Sequence, residues 1–118
     1  MKYSIPHKRE LTLTEIELLS YLFDNEKPEW SDLIKNLKVI GRCGCGICPT
    51  IMFGKTFESE IQQGNILIDY FGKGPKGELI GVLVTGTELM PTELEFYSID
   101  AKLEIPIIPK IETLKSVK

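Results

Sequence analysis

The segment Leu79-Ile80-Gly81-Val82-Leu83-Val84-Thr85 carries the clearest fold signal in this chain. Nearly every position in it is apolar, so both alternating faces of an extended segment would be buried, which predicts a strand in the interior of a sheet. The segment Glu-Leu-Glu-Phe-Tyr at residues 93–97 instead alternates polar or aromatic residues with apolar ones. This alternation predicts a strand whose Glu93, Glu95 and Tyr97 share a solvent face while the two apolar residues between them point to the core.

Short apolar runs bounded by Gly or Pro predict the other strands. The four predicted strands are 51–53, 66–71, 79–85 and 93–99. Loops of about 7 residues join the last three, which is too short for a parallel crossover, so an antiparallel meander is expected. Pro106 and Pro109 make the following segment an edge strand or a covering segment, and residues 110–118 are expected to fray.

Two helices are predicted before this sheet. Thr12 and Glu15 form a capping box, and Leu11 and Ile16 a hydrophobic staple, at the start of the first helix. Its apolar stripe, expected to end near residues 24–25, comprises Ile16, Leu19, Leu22 and Phe23. The second helix is expected to open at Pro28, with an inward stripe of Trp30, Leu33, Ile34 and Leu37.

The predicted fold class is therefore α+β, with two N-terminal helices packed on an antiparallel β-meander of about four to five strands. At 118 residues the chain has room for one domain, residues 1–118. We expect the helical part over about residues 11–38, the sheet over about 50–109 and the frayed tail at 110–118.

Composition narrows the class of function. Hydrophobic residues make up 42% and charged residues 26%, as in ordinary globular proteins. The net charge of -3 argues against general nucleic-acid binding, which needs clustered Lys and Arg. The sequence has neither an apolar run long enough for a membrane span nor the apolar core of a signal peptide. We therefore expect a cytoplasmic protein without a membrane or nucleic-acid partner.

The segment Arg-Cys-Gly-Cys-Gly-Ile-Cys-Pro at residues 42–49 carries all three cysteines. Three thiolates at Cys43, Cys45 and Cys48 would supply most of a tetrahedral zinc site, which His7, a carboxylate or a partner chain would have to complete. Cys45 and Cys48 also match a redox Cys-x-x-Cys pair, although that motif normally opens a helix. The plainest interpretation is a sharp turn in which Gly44 and Gly46 adopt positive φ and the cysteines pack as small apolar residues.

No catalytic residue is predicted. The sequence Gly-Lys-Gly-Pro-Lys-Gly at 72–77 matches the residue pattern of a dinucleotide-binding fingerprint. That fingerprint needs a helix after it, whereas a strand is predicted here, so a flexible hairpin loop is expected. His7 is the sole imidazole and lies on a segment without helix or strand pattern. The pair Glu93 and Glu95 lies on a predicted solvated strand face and is interpreted as surface. The chain is expected to bind and not to catalyse.

Acidic residues are concentrated in two zones. Residues 10–32 contain seven carboxylates and one lysine, a net charge of -6, and residues 78–104 contain six carboxylates and one lysine, a net charge of -5. Acidic surfaces are commonly plain solvated faces, but they can also steer a basic partner to rapid association.

Four segments together resemble small bacterial immunity proteins encoded beside contact-dependent growth-inhibition toxins. They are 11–15, 43–51, 81–86 and 93–97. The resemblance implies a cytosolic protein that covers the C-terminal domain of a cognate toxin, commonly a nuclease. The charge zones then suggest contacts at Glu88, Glu93, Glu95, Tyr97 and Asp100, with a competing helical patch of Glu17, Asp24 and Glu29. A zinc-binding structural or regulatory module on the three cysteines is the alternative.

Overall fold

The computed structural model describes residues 4–117, which form one antiparallel sheet with helices on one face. In chain order the elements are β1 Ser4–Arg9, α1 Leu13–Glu26, a 3-10 helix Pro28–Asn36, β2 Lys38–Cys43, β3 Ile51–Gly54, β4 Asn65–Lys73, β5 Leu79–Gly86, β6 Pro91–Ser98, a short 3-10 helix Ile111–Thr113 and β7 Lys115–Ser116. The strand order across the sheet is β1-β2-β3-β6-β5-β4-β7.

The predicted fold class is wrong in two respects. The sheet has seven strands within residues 4–117, not four to five, and β1 precedes the helices, which are therefore not N-terminal. The missed strands lack the pattern of a buried strand: β1 contains Pro6 and is an edge strand, where a missing N–H is tolerated. Strand β2 contains Gly41, which is unfavourable inside a strand, and leads straight into the cysteine loop.

The three strands of the expected meander pair as predicted. Strand β5 lies between β4 and β6, antiparallel to both, with Val82 opposite Tyr70 on one side and Phe96 on the other. A Gly74–Gly77 turn joins β4 to β5, and Gly77 adopts φ +83°, so the glycine motif at 72–77 is a hairpin loop. The central stretch of sequence does form an interior strand.

Helix α1 begins as its capping box predicts and buries a slightly different stripe. Thr12 Oγ1 accepts from Glu15 N at 3.2 Å, and Glu15 Oε1 accepts from Thr12 N at 2.9 Å. Leu18 is buried, whereas Ile16, which was expected in the buried stripe, is 36% exposed. The second predicted helix is a 3-10 helix, and its Trp30 is buried as expected.

The core lies between these helices and the sheet. Phe23 of α1 packs edge-on against Trp30, with ring centroids 5.4 Å apart. Residues after β6 cover the core's edge without forming a strand until β7, where Lys115 pairs with Phe71. Leu114 is buried in this segment, which had been expected to fray.

The opposite face of the sheet is covered over one half. A Cβ added at Gly41 would lie 2.7 Å from Ile61 Cδ1, and one at Gly54 would lie 2.6 Å from Ser59 Cβ. Segment 55–64 thus lies directly on β2 and β3, and the glycines make room for it. On the β4–β5–β6 half, Leu67 and Tyr97 remain exposed.

Glu15 links α1 to β1 and gives a pH-dependent stability. Burial opposes ionisation of this carboxyl, but two 2.8 Å bonds from Arg9 and the bond from Thr12 outweigh it and lower its pKa. A lowered folded-state pKa stabilises the fold above the ordinary value of 4.5, and this contribution is lost as the pH falls through the folded-state pKa.

We therefore expect Glu15→Gln to cost about 1–2 kcal/mol of unfolding free energy at pH 7 and much less at pH 3. Urea denaturation at both pH values measures the difference. Glu17→Gln on the exposed side of the same helix is the matched control, expected to change little. A cost for Glu15→Gln that is equal at both pH values would contradict the assignment.

Candidate functional site

The three cysteines converge at the loop between β2 and β3. Their Sγ atoms all lie within 4.8 Å of one another. Cys45 is exposed, Cys43 is half-buried at the end of β2, and Cys48 is buried. All three are free thiols, so the loop presents a compact sulfur cluster at the protein surface.

Local backbone bonds hold this cluster together. Cys43 N donates to Thr50 O at 3.2 Å, which closes the base of the loop, and Gly46 N donates to Cys43 O at 2.9 Å. Gly46 has φ +78°, a conformation that favours glycine. The expected positive φ at Gly44 is not present, so only one of the two glycines is needed for its backbone conformation.

The loop favours a thiolate at Cys45. Backbone N–H groups of Ile47 and Cys48 point at its sulfur, the second at 3.2 Å, and the neighbouring thiols add to this, which lowers the pKa of Cys45 to about 6. Burial, together with the neighbouring sulfurs, raises the pKa of Cys43 to about 11. The lowered pKa favours the ionised form of the Cys45 sulfur near neutral pH.

The geometry of the cluster bears on two hypotheses from the sequence, a zinc site and a redox pair. Among the described residues, no histidine or carboxylate joins the three sulfurs within the same 4.8 Å grouping, so His7 or a carboxylate would have to move toward the sulfurs, or a partner chain enter, to complete a zinc site. The pair Cys45 and Cys48 lies in a hairpin loop and not at the start of a helix, the setting in which redox pairs are usually activated.

A cavity of about 490 Å³ opens beside the cluster. All three cysteines line it together with the end of β6 and residues 101–106, including Glu95, Tyr97 and Glu104. This volume falls within the range of small-ligand sites. The sulfur cluster therefore faces a space that another molecule or side chain can enter.

Thr50 ties the cysteine loop to β6. Its Oγ1 accepts from Phe96 N at 3.0 Å in a buried position, beyond the point where β3 pairs with β6. We expect Thr50→Val, which keeps the shape but removes the acceptor, to lower the unfolding free energy by about 1–3 kcal/mol because a buried N–H loses its partner.

Urea denaturation measures this loss, with Thr14→Val on the exposed side of α1 as the matched control. The control should stay within about 0.5 kcal/mol of the unmodified chain. An equally small change for Thr50→Val would mean that water replaces the hydroxyl.

The residues suggested for partner binding do not all have the same role. Glu93, Glu95 and Tyr97 lie on the face of β6 that points away from the helices, as their alternation predicted. Glu88 is exposed in the β5–β6 turn. Asp100 caps backbone instead: it accepts from the N–H of Leu79 and of Lys102, and these bonds outweigh burial and lower its pKa.

Tyr97 is held flat on its neighbour strand. A Cβ at Gly81 would lie only 2.1 Å from Tyr97 Cζ, so the ring lies directly over the glycine. Burial, then the charges of Asp69 and Glu95, raise the pKa of its hydroxyl. The ring is still 36% exposed, which suits an aromatic contact at an interface.

Residues that sequence reasoning missed share this face. The register Asp69↔Leu83↔Glu95 and Phe71↔Gly81↔Tyr97 places Asp69, Phe71 and Leu83 beside the β6 side chains. The length of the turn at 74–77 sets the register of the two strands that it joins. This turn is therefore the sequence signal that could have identified the missed residues. We call Asp69, Phe71, Leu83, Glu93, Glu95 and Tyr97 the open sheet face. The competing helical acids Glu17, Asp24 and Glu29 are also exposed.

Searches with protein-family models, curated proteins and solved structures found no match to this chain. In the part of the chain that the structure describes, no helix has the length and apolar character to cross a membrane. The likeness to immunity proteins therefore stays a prediction drawn from sequence.

Proposed function

We propose that this chain binds one thiophilic metal ion, zinc in the first instance, through Cys43, Cys45 and Cys48, as a structural or regulatory module and not as an enzyme. The observation that carries the proposal is the placement of all three Sγ atoms within 4.8 Å of one another. Tetrahedral zinc with Zn–S bonds of about 2.3 Å needs sulfurs about 3.8 Å apart, so adjustments of about 1 Å suffice.

The surroundings of the sulfurs support this proposal. The hydrogen bonds at Cys45 favour a thiolate, the form that binds metal. The exposed side of the cluster faces the cavity, where water or a partner side chain would take the fourth position. The module would then be able to accept a ligand from outside the chain.

Metal content tests the proposal. Protein purified without a histidine tag should carry about one equivalent of zinc, or regain it on addition of zinc, and a chelator should lower its thermal stability. Substitution by Co²⁺ should give the absorption of thiolate-to-cobalt charge transfer. Content below about 0.2 equivalents that zinc addition does not raise would reject metal binding.

A second candidate is an immunity protein that neutralises a cognate toxin domain in the cytoplasm. The open sheet face favours it, because β6 aligns Glu93 and Glu95 with the exposed Tyr97. Acidic side chains around an aromatic anchor suit a basic protein surface, such as that of a nuclease domain. Glu88 would extend this contact, whereas Asp100 would support it from beneath.

Co-expression with the C-terminal domain of the toxin encoded by the neighbouring gene tests this candidate. The unmodified chain should form a complex and protect the cell, and the pair Glu93→Lys and Glu95→Lys should lose both effects. Glu17→Lys with Glu29→Lys on the helices is the matched control. Loss with the helical pair alone would move the site to the helices, and continued toxicity with the unmodified chain would reject the candidate.

Gly81→Ala gives a finer probe of the same face. The added Cβ must displace the Tyr97 ring, whose outer edge is partly exposed, so the fold should tolerate the change while the aromatic anchor moves. Complex formation should weaken by about 10-fold or more if Tyr97 is the anchor. Unchanged affinity would remove Tyr97 from the interface.

A further inference from the structure

A second cavity, which shares Cys48 with the proposed metal site but neither of its other two ligands, lies between β1, β2 and the first turn of α1. Its volume is about 150 Å³, and its lining includes His7, Arg9, Glu15, Arg42 and Cys48. Two guanidinium groups and the only imidazole of the chain therefore meet in a small space. One carboxylate accompanies them.

The guanidinium groups of the two arginines differ in their hydrogen-bond partners. Arg9 is paired with Glu15 through two 2.8 Å bonds, and Glu15 Oε1 also accepts from Thr12 N. Arg42 has no such partner: its Nε is buried, and within residues 4–117 nothing accepts a hydrogen bond from it. Since Glu15 is already engaged, the cavity keeps an excess of positive charge at Arg42.

A buried donor on a charged group is costly when it has no acceptor, and an oxyanion in the cavity would supply acceptors to the Arg42 guanidinium. We propose that this cavity binds a small oxyanion, with inorganic phosphate as the model, held by the Arg42 guanidinium and flanked by Arg9 and His7. The planar fork of arginine matches two oxygens of such an ion, which a lysine ammonium does not.

The size of the cavity defines the class of ligand. Its volume corresponds to about five water molecules, which holds one tetrahedral oxyanion and a few waters. A whole nucleotide is too large to lie inside it. We therefore take the free ion as the ligand, and a phosphate carried on a peptide is the alternative that the experiment distinguishes.

Titration of the full chain with sodium phosphate tests the proposal, against sodium chloride at equal ionic strength. Calorimetry should show saturable binding specific to phosphate, and NMR should place the shifted signals at the Arg9 and Arg42 side chains. Arg42→Gln should weaken binding by about 10- to 100-fold, the value of one or two charged hydrogen bonds. Arg42→Lys should recover only part of it.

Lys38→Gln is the matched control, since Lys38 lies on the same strand but is paired with Glu10, and it should bind phosphate normally. Cys45→Ser should also bind phosphate normally, which separates this site from the metal site. An O-phosphoserine peptide should bind at least about 10-fold more weakly than free phosphate. Equal responses to phosphate and chloride, or equal binding by folded Arg42→Gln, would overturn the proposal.

Discussion

Replacing Cys45 with serine is expected to weaken zinc binding by about 100-fold. Structural zinc sites with four ligands have apparent binding free energies of about 10–16 kcal/mol, or about 3 kcal/mol for each ligand, which corresponds to that factor. Cys45 is exposed, so its replacement should leave the fold intact and report on binding alone. Competition with a chromogenic chelator measures the affinity.

Ile47→Ala is the matched control for this experiment. Ile47 lies in the same loop, is 64% exposed and offers no ligand atom, so its replacement should leave the zinc affinity unchanged. Affinity of Cys45→Ser within about threefold of the unmodified chain would show that Cys45 is not a ligand. Equal losses in both variants would instead indicate a disturbed loop.

Replacing Phe23 with alanine is expected to lower the free energy of unfolding by about 3–5 kcal/mol. Phe23 is fully buried in α1 and packs edge-on against Trp30, so the change removes apolar contacts and leaves a cavity beside the indole. Domains of this size have total stabilities of about 5–15 kcal/mol, and the loss would be a large part of it. Urea denaturation should show a lower midpoint with an unchanged slope.

Leu13→Ala on the same helix is the comparison for Phe23. Leu13 is 72% exposed, so its truncation should cost less than about 0.5 kcal/mol. A loss below about 1 kcal/mol for Phe23→Ala would mean that α1 is held to the sheet mainly by other contacts.

Local patterns predicted the parts of the fold that local contacts determine. The capping box of α1 involves residues three positions apart, and its two bonds are as expected. The interior strand β5 was likewise evident from its apolar run. The edge strands β1 and β7 bury few side chains, so their sequences lack alternation, and only pairing with β2 and β4 makes them strands.

In the candidate site too, sequence predicted the features that depend on local spacing and missed those that depend on long-range packing. The close spacing of Cys43, Cys45 and Cys48 predicted their proximity, because a short loop cannot separate them. Which group would complete a zinc site depends on long-range packing, since His7 lies on β1, far from the cysteines in the chain. The arginine-lined cavity was missed for the same reason: Arg9 and Arg42 are 33 positions apart and meet only through the β1–β2 pairing.

The narrow junction between β3 and β6 has a consequence for the speed of folding. Only Ile51↔Leu94 and Met52↔Glu93 pair across it, although these residues are more than 40 positions apart in the chain. The β2–β3, β4–β5 and β5–β6 hairpins join chain neighbours and can form early, whereas closing the long loop between β3 and β6 carries a larger entropic cost. We expect this closure to limit the folding rate, so that truncation of Leu94 slows folding more than equally destabilising changes within a hairpin.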